Sequence, residues 1–335
     1  MKVYEIQSKQ GIDGLALVAR APGALGPRQV RVRIRASSLN YRDLMTVLHA
    51  GMGNKLPLVP NSDGCGEIIE TGAEVSLFKT GDRVITTFFQ RWLDGAISAD
   101  VMRNALGGTE DGVLAEEVVL EETGVVALPE HMSFAEGATL SCAALTAWHS
   151  MVVKGGIKAG DVVLTLGTGG VSIFALQFAV MHGARIIITS SSDDKLERAK
   201  ALGAWQTINY RQDPDWEKTV LKLTDGRGAD QVLEVGGAGT LEKSLVATRF
   251  GGMVGLIGVL TGFGGSVNPD AILRKSIDLQ GIYVGSRAMF EDMNRALSAH
   301  QTKPVIDQHF EFAQAPDAYR CLEQQGHFGK VVIGC

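Results

Sequence analysis

From residue 161 onward, apolar runs of strand length alternate with stretches of helical pattern. Residues 162–166 (VVLTL) and 185–189 (RIIIT) are rich in β-branched side chains, and the apolar stretch 171–181 between them has helical character. Further strands are predicted at 204–209, 231–235, 252–259 and 279–284. Because strands alternate with helices, this part of the chain predicts a parallel, doubly wound α/β sheet.

The first 120 residues follow a different pattern, in which short β-like runs are separated by turn residues such as Gly81-Asp82. A helix at 41–49 interrupts runs at 29–36, 66–70, 83–88 and 115–120. We predict a mostly β domain here, with the architecture of a partly open barrel. Ser133 and Glu136 then form a capping-box pattern at a helix start. The tail predicts a helix capped by Ser286, a second helix at 315–325 and a strand at 330–333.

The junction between the first two strands of the predicted parallel sheet has the sequence of a dinucleotide-binding turn. A glycine allows the tight turn, a second lets the backbone approach a pyrophosphate, and the N–H groups of the next helix supply donors and partial positive charge. Ser172 replaces the usual third glycine and is small enough for close packing of helix and strand. A glycine-rich turn in an unrelated α/β fold is the alternative. The predicted cofactor-binding residues of this turn are Gly167, Thr168, Gly169, Gly170 and Val171.

The end of the second strand favours NADP(H) over NAD(H). NAD sites commonly carry Asp or Glu there, whereas this chain has three serines at 190–192 and a lysine just beyond them. Hydroxyls and an ammonium suit a 2′-phosphate. We interpret the aspartates at 193 and 194 as the N-cap and first turn of the next helix, and helix capping is also the alternative role for the serines. The predicted phosphate ligands are Ser190, Ser191 and Lys195.

Composition narrows the classes of function. The chain has 335 residues, of which 45% are hydrophobic, which suits about two domains. A net charge of −5 provides no basic field for nucleic acid. No apolar run approaches the ~20 residues of a membrane span, and the first residues lack the apolar core of a signal sequence, so we expect a cytoplasmic protein. The four cysteines show no paired spacing, which indicates free thiols.

Several stretches together resemble the medium-chain dehydrogenase/reductase superfamily over essentially the whole chain. They are the glycine turn, NYRD at 40–43, GDRV at 81–84, LTAW at 145–148 and HFGKVV at 327–332. The resemblance implies a GroES-like catalytic domain formed by residues 1–142 and completed by 286–335. It also implies a Rossmann cofactor domain at 143–285 and a homodimer, in which the last strand of the sheet pairs across a two-fold axis.

The resemblance also identifies the positions that hold a catalytic zinc in the zinc-dependent members. Asn40 stands where those members carry a Cys, Ser62 stands where they carry a His, and only Cys142 keeps a ligand atom. A catalytic zinc needs about three protein ligands, and residues 86–117 contain no cysteine for a structural zinc. We therefore expect no zinc, as in the quinone oxidoreductase-like branch. Many members of that branch carry a tyrosine where this chain has Met45.

Asn40, Tyr41 and Asp43 are the predicted catalytic residues. Asn40 is a neutral amide donor for the substrate oxygen or, alternatively, a capping residue. Enoyl reductases of this superfamily often use a tyrosine as proton donor, and Tyr41 is available for that role. Asp43 orients a neighbour or forms a structural salt bridge with Arg42 or Arg83.

The resemblance implies further cofactor contacts. Thr146 lies beside the nicotinamide or inside a helix, and Tyr210 accompanies the lysine at the 2′-phosphate or is a strand-end aromatic. Lys330 reaches the pyrophosphate or is a surface lysine. Backbone groups at the carboxyl edge of the sheet hold the ribose and carboxamide, and these belong to Gly258, Val259, Leu260, Tyr283, Val284 and Gly285. The candidate walls of the substrate pocket are Met45, Phe263 and Trp92, and core packing is the alternative for each. Trp92 lies in a loop-like stretch and is the hardest of the three to explain as a core residue.

The expected function is NADPH-dependent, zinc-independent transfer of hydride to a quinone or an α,β-unsaturated carbonyl, with a donor that stabilises the developing oxyanion. A metal-free alcohol, aldehyde or ketone oxidoreductase is the alternative of the same class. A non-catalytic, crystallin-like NADPH-binding protein is the alternative of another class. The expected partner is a small molecule, and neither nucleic acid nor a membrane is expected.

Overall fold

In the computed structural model, which describes residues 1–53, 55–262 and 264–335, the chain leaves its first structural unit and later returns to it. The first unit consists of Met1–Leu145 and Val284–Cys335, and the second unit consists of Thr146–Tyr283. The predicted cofactor fold is therefore one contiguous segment, whereas the mostly β unit is assembled from both ends of the chain.

Short strands build the N-terminal part of the first unit. They are β1 (Lys2–Ile6), β2 (Leu15–Ala19), β3 (Gln29–Leu39), β4 (Asp63–Thr71), β5 (Arg83–Thr86), β6 (Glu117–Glu121) and β7 (Val125–Ala127). Helix α1 (Tyr41–Leu48) follows β3, and α2 (Phe134–Gly137) follows β7. The capping box predicted at the start of α2 is confirmed, since Glu136 N–H donates to Ser133 Oγ at 3.2 Å and Ser133 N–H donates to Glu136 Oε2 at 2.7 Å.

Strand β3 shows why these residues form a sheet with one buried face. Val30, Val32 and Ile34 are buried, whereas Arg33 and Arg35 are exposed, as the two-residue period of a strand requires. The strand runs past its predicted end at residue 36 because two buried serines continue it. Their hydroxyls donate to backbone carbonyls, Ser37 to Asp63 and Ser38 to Ala138, both at 2.9 Å, so burial leaves them satisfied.

A helical segment leads from the first unit into the second. Helix α3 (Leu145–Trp148) lies between two π-helical stretches, Leu140–Ala144 and His149–Lys154. The strands of the second unit are β8 (Val162–Leu166), β9 (Arg185–Ser190), β10 (Gln206–Asn209), β11 (Ala229–Glu234), β12 (Thr248–Leu256) and β13 (Asp278–Gly281). Its remaining helices are α4 (Gly170–Met181), α5 (Asp193–Ala201), α6 (Trp216–Leu223), α7 (Ala238–Ala247) and α8 (Asp270–Lys275).

The six strands of the second unit form one parallel sheet in the order β10-β9-β8-β11-β12-β13. The two central strands, β8 and β11, are buried along their whole length, which explains the mostly apolar sequence VVLTL of β8, whereas β11 also buries polar side chains at both ends. The predicted doubly wound α/β sheet is confirmed. The last two strands end three residues earlier than predicted, because residues 257–259 and 282–284 leave the sheet as loops at its carboxyl edge.

The chain then returns to the first unit with α9 (Arg287–His300), β14 (Ile306–Phe310), α10 (Ala315–Glu323) and β15 (Lys330–Gly334). β15 pairs antiparallel with β3, and Val331 lies opposite Leu39. This register places Lys330 beside the start of α1. The main sheet of the unit runs β14-β15-β3-β4-β5-β7, with β6 on the end of β3. Among the described residues, none of the helices is long and apolar enough to span a membrane.

Candidate functional site

The glycine turn of the second unit has room for a ligand. Gly167 follows β8 with a φ of +74°, which only glycine adopts without strain. A Cβ added at Gly167 or at Gly169 would meet no atom within 4 Å. Gly169 is the N-cap of α4, and no side chain caps this helix. The backbone at the start of α4 therefore borders open space, as a dinucleotide pyrophosphate requires.

Two hydroxyls hold the turn in place. Ser172 Oγ donates to the Leu166 carbonyl at 2.6 Å and so ties α4 to the end of β8, which is the close packing predicted for a small residue at this position. Gly167 N–H donates to Thr189 Oγ1 at 3.3 Å, which links the turn to β9.

The three serines after β9 have different roles. Ser192, not Asp193, is the N-cap of α5, which corrects the predicted cap by one residue. Its Oγ accepts from Lys195 N–H at 3.4 Å. Ser190 is buried and its Oγ accepts from Ser192 N–H at 3.3 Å. Ser191 is partly exposed, and its side chain makes no hydrogen bond to any described residue, which leaves its hydroxyl for a ligand.

The neighbouring strand brings an aromatic hydroxyl to the same place. Tyr210 N–H donates to the Ser190 carbonyl at 3.1 Å, and the Tyr210 side chain is 42% exposed. Two side-chain amides donate to the Asp193 carboxylate, Asn209 Nδ2 at 2.7 Å and Gln212 Nε2 at 2.9 Å. The ends of β9 and β10 thus carry hydroxyls, and the carboxylate of Asp193 already accepts two hydrogen bonds.

Sequence reasoning missed Glu234, which organises the carboxyl edge of the sheet. This carboxylate is buried at the end of β11 and accepts from Gly236 N–H (2.7 Å), Gly237 N–H (2.9 Å) and Thr240 Oγ1 (2.6 Å), and also from Ser244 Oγ. Its backbone carbonyl accepts from the N–H groups of residues 257 and 258. An acidic residue at the end of an apolar strand, in VLEVGG, was the available signal.

One loop that Glu234 holds, through the N–H groups of residues 257 and 258, is among the segments expected to contact ribose and carboxamide. A Cβ at Gly258 would lie 2.0 Å from the Val235 carbonyl oxygen, so only glycine lets these two loops approach. Val284 has a φ of +53°, a left-handed conformation that costs a β-branched residue about 1–3 kcal/mol. Such strain is concentrated at functional sites, which supports a binding role for the segment Tyr283, Val284 and Gly285.

In the first unit, the predicted catalytic residues surround the start of α1. Asn40 is the N-cap of this helix, and its N–H donates to Asp43 Oδ2 at 2.8 Å. Arg42 Nη1 donates to Asp43 Oδ1 at 3.0 Å, so the salt bridge of Asp43 is made with Arg42. Arg83 lies instead over the ring of Phe134. Asp43 is therefore a structural and orienting group here.

Lys330 is not a surface residue, and that predicted alternative is wrong. Its side chain is 2% exposed. Its Nζ donates to Asn40 Oδ1 at 2.6 Å and to the Leu39 carbonyl at 2.8 Å, and it lies 3.8 Å from Asp63 Oδ2. Asn40 Nδ2 is buried near the Asp63 carboxylate but makes no hydrogen bond of good geometry with a described residue.

Asp63 is the buried acid of this cluster. Burial raises the pKa of its carboxyl, and Asp43 adds to this, while Lys330, a hydrogen bond from Ser62 and the nearby Asn40 amide act in the opposite direction. Ser62 Oγ donates to Asp63 Oδ1 at 2.6 Å, and Cys142 N–H lies 3.3 Å from Oδ2. Burial and Asp63 also raise the pKa of the Cys142 thiol, so this sulfur is a poor thiolate.

The residues at this cluster do not fit a catalytic zinc. An amide, a hydroxyl and an ammonium surround Asp63 and Cys142, and the other carboxylate of the cluster, Asp43, is already bound by the Asn40 N–H and by Arg42. Across the described ranges, no group of three or more His, Cys, Asp or Glu side chains is arranged to hold a metal.

The remaining predicted residues have mixed outcomes. Trp92 was expected to be hard to explain as a core residue, and that expectation is wrong. Its side chain is 3% exposed, packs edge-on against Phe89 and donates from Nε1 to the Gly95 carbonyl. Tyr41 and Met45 are partly exposed on α1, and Tyr41 also packs against the core. Thr146 is buried in α3. Phe263 lies outside the described residues.

Comparison with known proteins gives a consistent result. Residues 26–130 match the alcohol dehydrogenase GroES-like domain, and residues 170–299 match the zinc-binding dehydrogenase family. A zinc-type alcohol dehydrogenase-like protein of Schizosaccharomyces pombe is 44% identical, over 93% of this chain and 92% of its own length. A quinone oxidoreductase of Pseudomonas aeruginosa is 31% identical, over 93% of both. A solved NAD-dependent alcohol dehydrogenase is 33% identical over 100% of both chains, with a TM-score of 0.91.

Proposed function

Because the chain belongs to the medium-chain dehydrogenase/reductase family, we propose that it is an NADPH-dependent, zinc-independent reductase of quinones or α,β-unsaturated carbonyls. That it is an oxidoreductase of this family follows from the relatives. The choice of cofactor and substrate is the proposal. The observation that carries it is the group of polar side chains at the start of α1, where Asn40 and Ser62 stand at the positions of metal-ligating side chains and the Lys330 ammonium lies beside them.

The second unit fits a dinucleotide, since the turn at residues 167–171 leaves space along its backbone. Its N–H groups would hold the pyrophosphate, and Ser191, Lys195 and Tyr210 would hold the 2′-phosphate. The loops tied by Glu234 would hold the ribose and the carboxamide. When bound, the reduced nicotinamide supplies the hydride.

The first unit would supply the polar groups that face the substrate. Asn40 Nδ2 is a buried donor without a well-formed hydrogen bond to any residue that the structure describes, and such a group is expected to find a partner in the functional complex. We assign it the developing oxyanion of the enolate or hydroquinone. A donor of this type stabilises charge that is present only in the transition state and intermediate. The hydroxyl of Tyr41, on the same turn of α1, is proposed to supply the proton.

The names of two relatives, both of the alcohol dehydrogenase type, favour a second candidate, an alcohol, aldehyde or ketone oxidoreductase. For this chain we propose it in a metal-free form, because the cluster at the start of α1 does not fit a zinc ion. The oxygen of an alkoxide would accept from the same Asn40 amide, so the first unit is compatible with either substrate class. The difference lies in the electron-poor atom that receives the hydride.

Absorbance at the reduced-nicotinamide band separates these functions. Quinones, enones and aldehydes are tested with NADPH and NADH, and secondary alcohols with the oxidised cofactors. We expect quinones or enones to oxidise NADPH, and more slowly NADH. Turnover confined to alcohols and aldehydes would establish the second candidate instead. Tight NADPH binding without turnover of any compound would indicate a non-catalytic protein.

We also propose that the protein is a homodimer paired through β13. This strand forms an edge of the parallel sheet, and unprotected edges are liable to pair with other chains. Phe250 on β12 and Leu273 on α8, the elements beside it, are largely exposed. Light scattering at micromolar concentration should report twice the mass of the chain, and a monomeric mass would refute the pairing.

A further inference from the structure

The Lys330 ammonium is a buried positive charge whose partners all belong to one small cluster. The antiparallel pairing of β15 with β3 brings it beside the last residue of β3 and the N-cap of α1. Burial of an ammonium is unfavourable unless charges and hydrogen bonds compensate for the lost water. A buried lysine at this position is therefore expected to have a role that a neutral side chain could not fill.

The charges around it balance. Asp43 and Asp63 are both buried, and Arg42 and Lys330 are the cations in contact with them. Arg42 is the counter-charge of Asp43, and it also donates to the carbonyls of Leu106 at 2.8 Å and Gly107 at 3.0 Å. Lys330 is thus the counter-charge of Asp63, and two of its three N–H donors are used on neutral oxygens.

One of these neutral oxygens belongs to the Asn40 amide, which determines how the amide is oriented. An amide side chain has an accepting and a donating end, and it can turn over when its surroundings permit. An ammonium has donors and no acceptor. Lys330 therefore accepts only the orientation in which Oδ1 faces Nζ, at 2.6 Å. The donating Nδ2 is then directed away from Lys330.

We propose that Lys330 is a positioning residue for the reaction: its ammonium is the resident cation of this site, neutralises Asp63 and holds Asn40 with Nδ2 as the donor for the substrate oxygen. The proposal rests on the proposed role of Asn40. It replaces the pyrophosphate contact expected from sequence, because Nζ is already engaged by Leu39 and Asn40. It also explains why the cluster does not fit a divalent metal, since a cation is already present beside the remaining ligands.

The test removes the ion pair as a unit. K330M alone leaves Asp63 buried without its cation and is expected to lower the melting temperature. K330M/D63N removes both charges and should recover most of that loss. In the double variant we expect kcat to fall at least about tenfold while the Kd for NADPH stays within about twofold of wild type. N40A should lower kcat similarly, and adding N40A to the double variant should cost little more, because both changes remove the same donor.

Lys275 offers a matched control. Its Nζ donates to the carbonyls of Leu245, Val246 and Thr248, so K275M also removes lysine-to-carbonyl hydrogen bonds but leaves Asn40 untouched. We expect K275M to leave kcat unchanged. A tenfold rise in the NADPH Kd of K330M/D63N with kcat unchanged would make Lys330 a cofactor ligand and overturn the proposal. Wild-type values for both parameters would reduce Lys330 to a structural residue.

A readout that does not need turnover keeps the two proposals separate. If wild type reduces none of the compounds in the panel, the proposed function fails, but the orientation of Asn40 can still be tested. In ¹⁵N-labelled protein the side-chain amide resonances of Asn40 should shift in K330M/D63N and stay in place in K275M. Unchanged resonances in K330M/D63N would show that Lys330 does not hold the amide.

Discussion

Replacing Gly169 with valine is expected to weaken the binding of both NADPH and NADH by more than about a hundredfold while the protein stays folded. The protein itself places nothing near a Cβ at this position, and the φ of −79° is open to any residue. The added side chain would instead occupy the space that we assign to the pyrophosphate. Losing one or two charge-assisted hydrogen bonds, at roughly 1.5–3 kcal/mol each, accounts for an effect of this size.

Gly167 is the matched control for this prediction. It also borders open space, but its φ of +74° is left-handed, so G167V should lower the melting temperature as well as cofactor binding. G169V should melt only slightly below wild type, because an apolar residue at an N-cap costs roughly 1 kcal/mol relative to glycine. The measurements are thermal melts and fluorescence titrations with each cofactor. Normal cofactor binding by a folded G169V would place the dinucleotide elsewhere.

Replacing Lys195 with alanine is expected to cut the preference for NADPH over NADH by at least about tenfold. Lys195 lies in the first turn of α5, which follows the serines at the end of β9, and Tyr210 directly after β10 is 42% exposed. A contact from lysine to phosphate contributes roughly 1.5–3 kcal/mol, which corresponds to about one to two orders of magnitude in the Kd for NADPH. NADH has no 2′-phosphate, so its Kd should barely change.

S191D should change the preference further, because it adds a carboxylate that repels the phosphate and can accept from the ribose hydroxyls of NADH. Lys200, on the same helix, pairs with Glu197 at 2.6 Å, and K200A should leave both affinities unchanged. Fluorescence titrations with NADPH and with NADH on wild type and these variants measure the change in preference. A wild type that already prefers NADH, or equal weakening of both cofactors by K195A, would show that the phosphate pocket has been misplaced.

The fold was accessible from sequence because the signals that specify it are local. β8 begins and ends where its apolar run does, and the glycine turn follows at once. The capping box of α2 requires only two residues three positions apart. The family and the two-part fold were therefore recognised correctly, whereas strand ends at the carboxyl edge were overestimated, because apolar loop residues there read like strand.

The roles of individual polar residues were less accessible. The sequence predicted Ser191 and Tyr210 as neighbours of a phosphate, and this stays a prediction: the Ser191 side chain makes no hydrogen bond to any described residue, and Tyr210 is exposed. The sequence placed Trp92 in a loop-like stretch. Its burial became visible only from its packing against Phe89 and its hydrogen bond to the Gly95 carbonyl. Glu234 went unnoticed because its four donors are all supplied by the loop and helix that follow it.

By itself, the sequence determined the secondary-structure pattern, the parallel sheet and the glycine turn, which are read within a few neighbouring positions. The family resemblance then placed Asn40 and Ser62 at the zinc-ligand positions. Only the tertiary structure showed which groups Lys330 contacts. Its partner Asn40 lies 290 residues earlier in the chain, and the two meet because β15 pairs with β3. Whether a lysine is solvated or buried depends on such long-range pairing, and periodicity carries no information about which strand will be the neighbour.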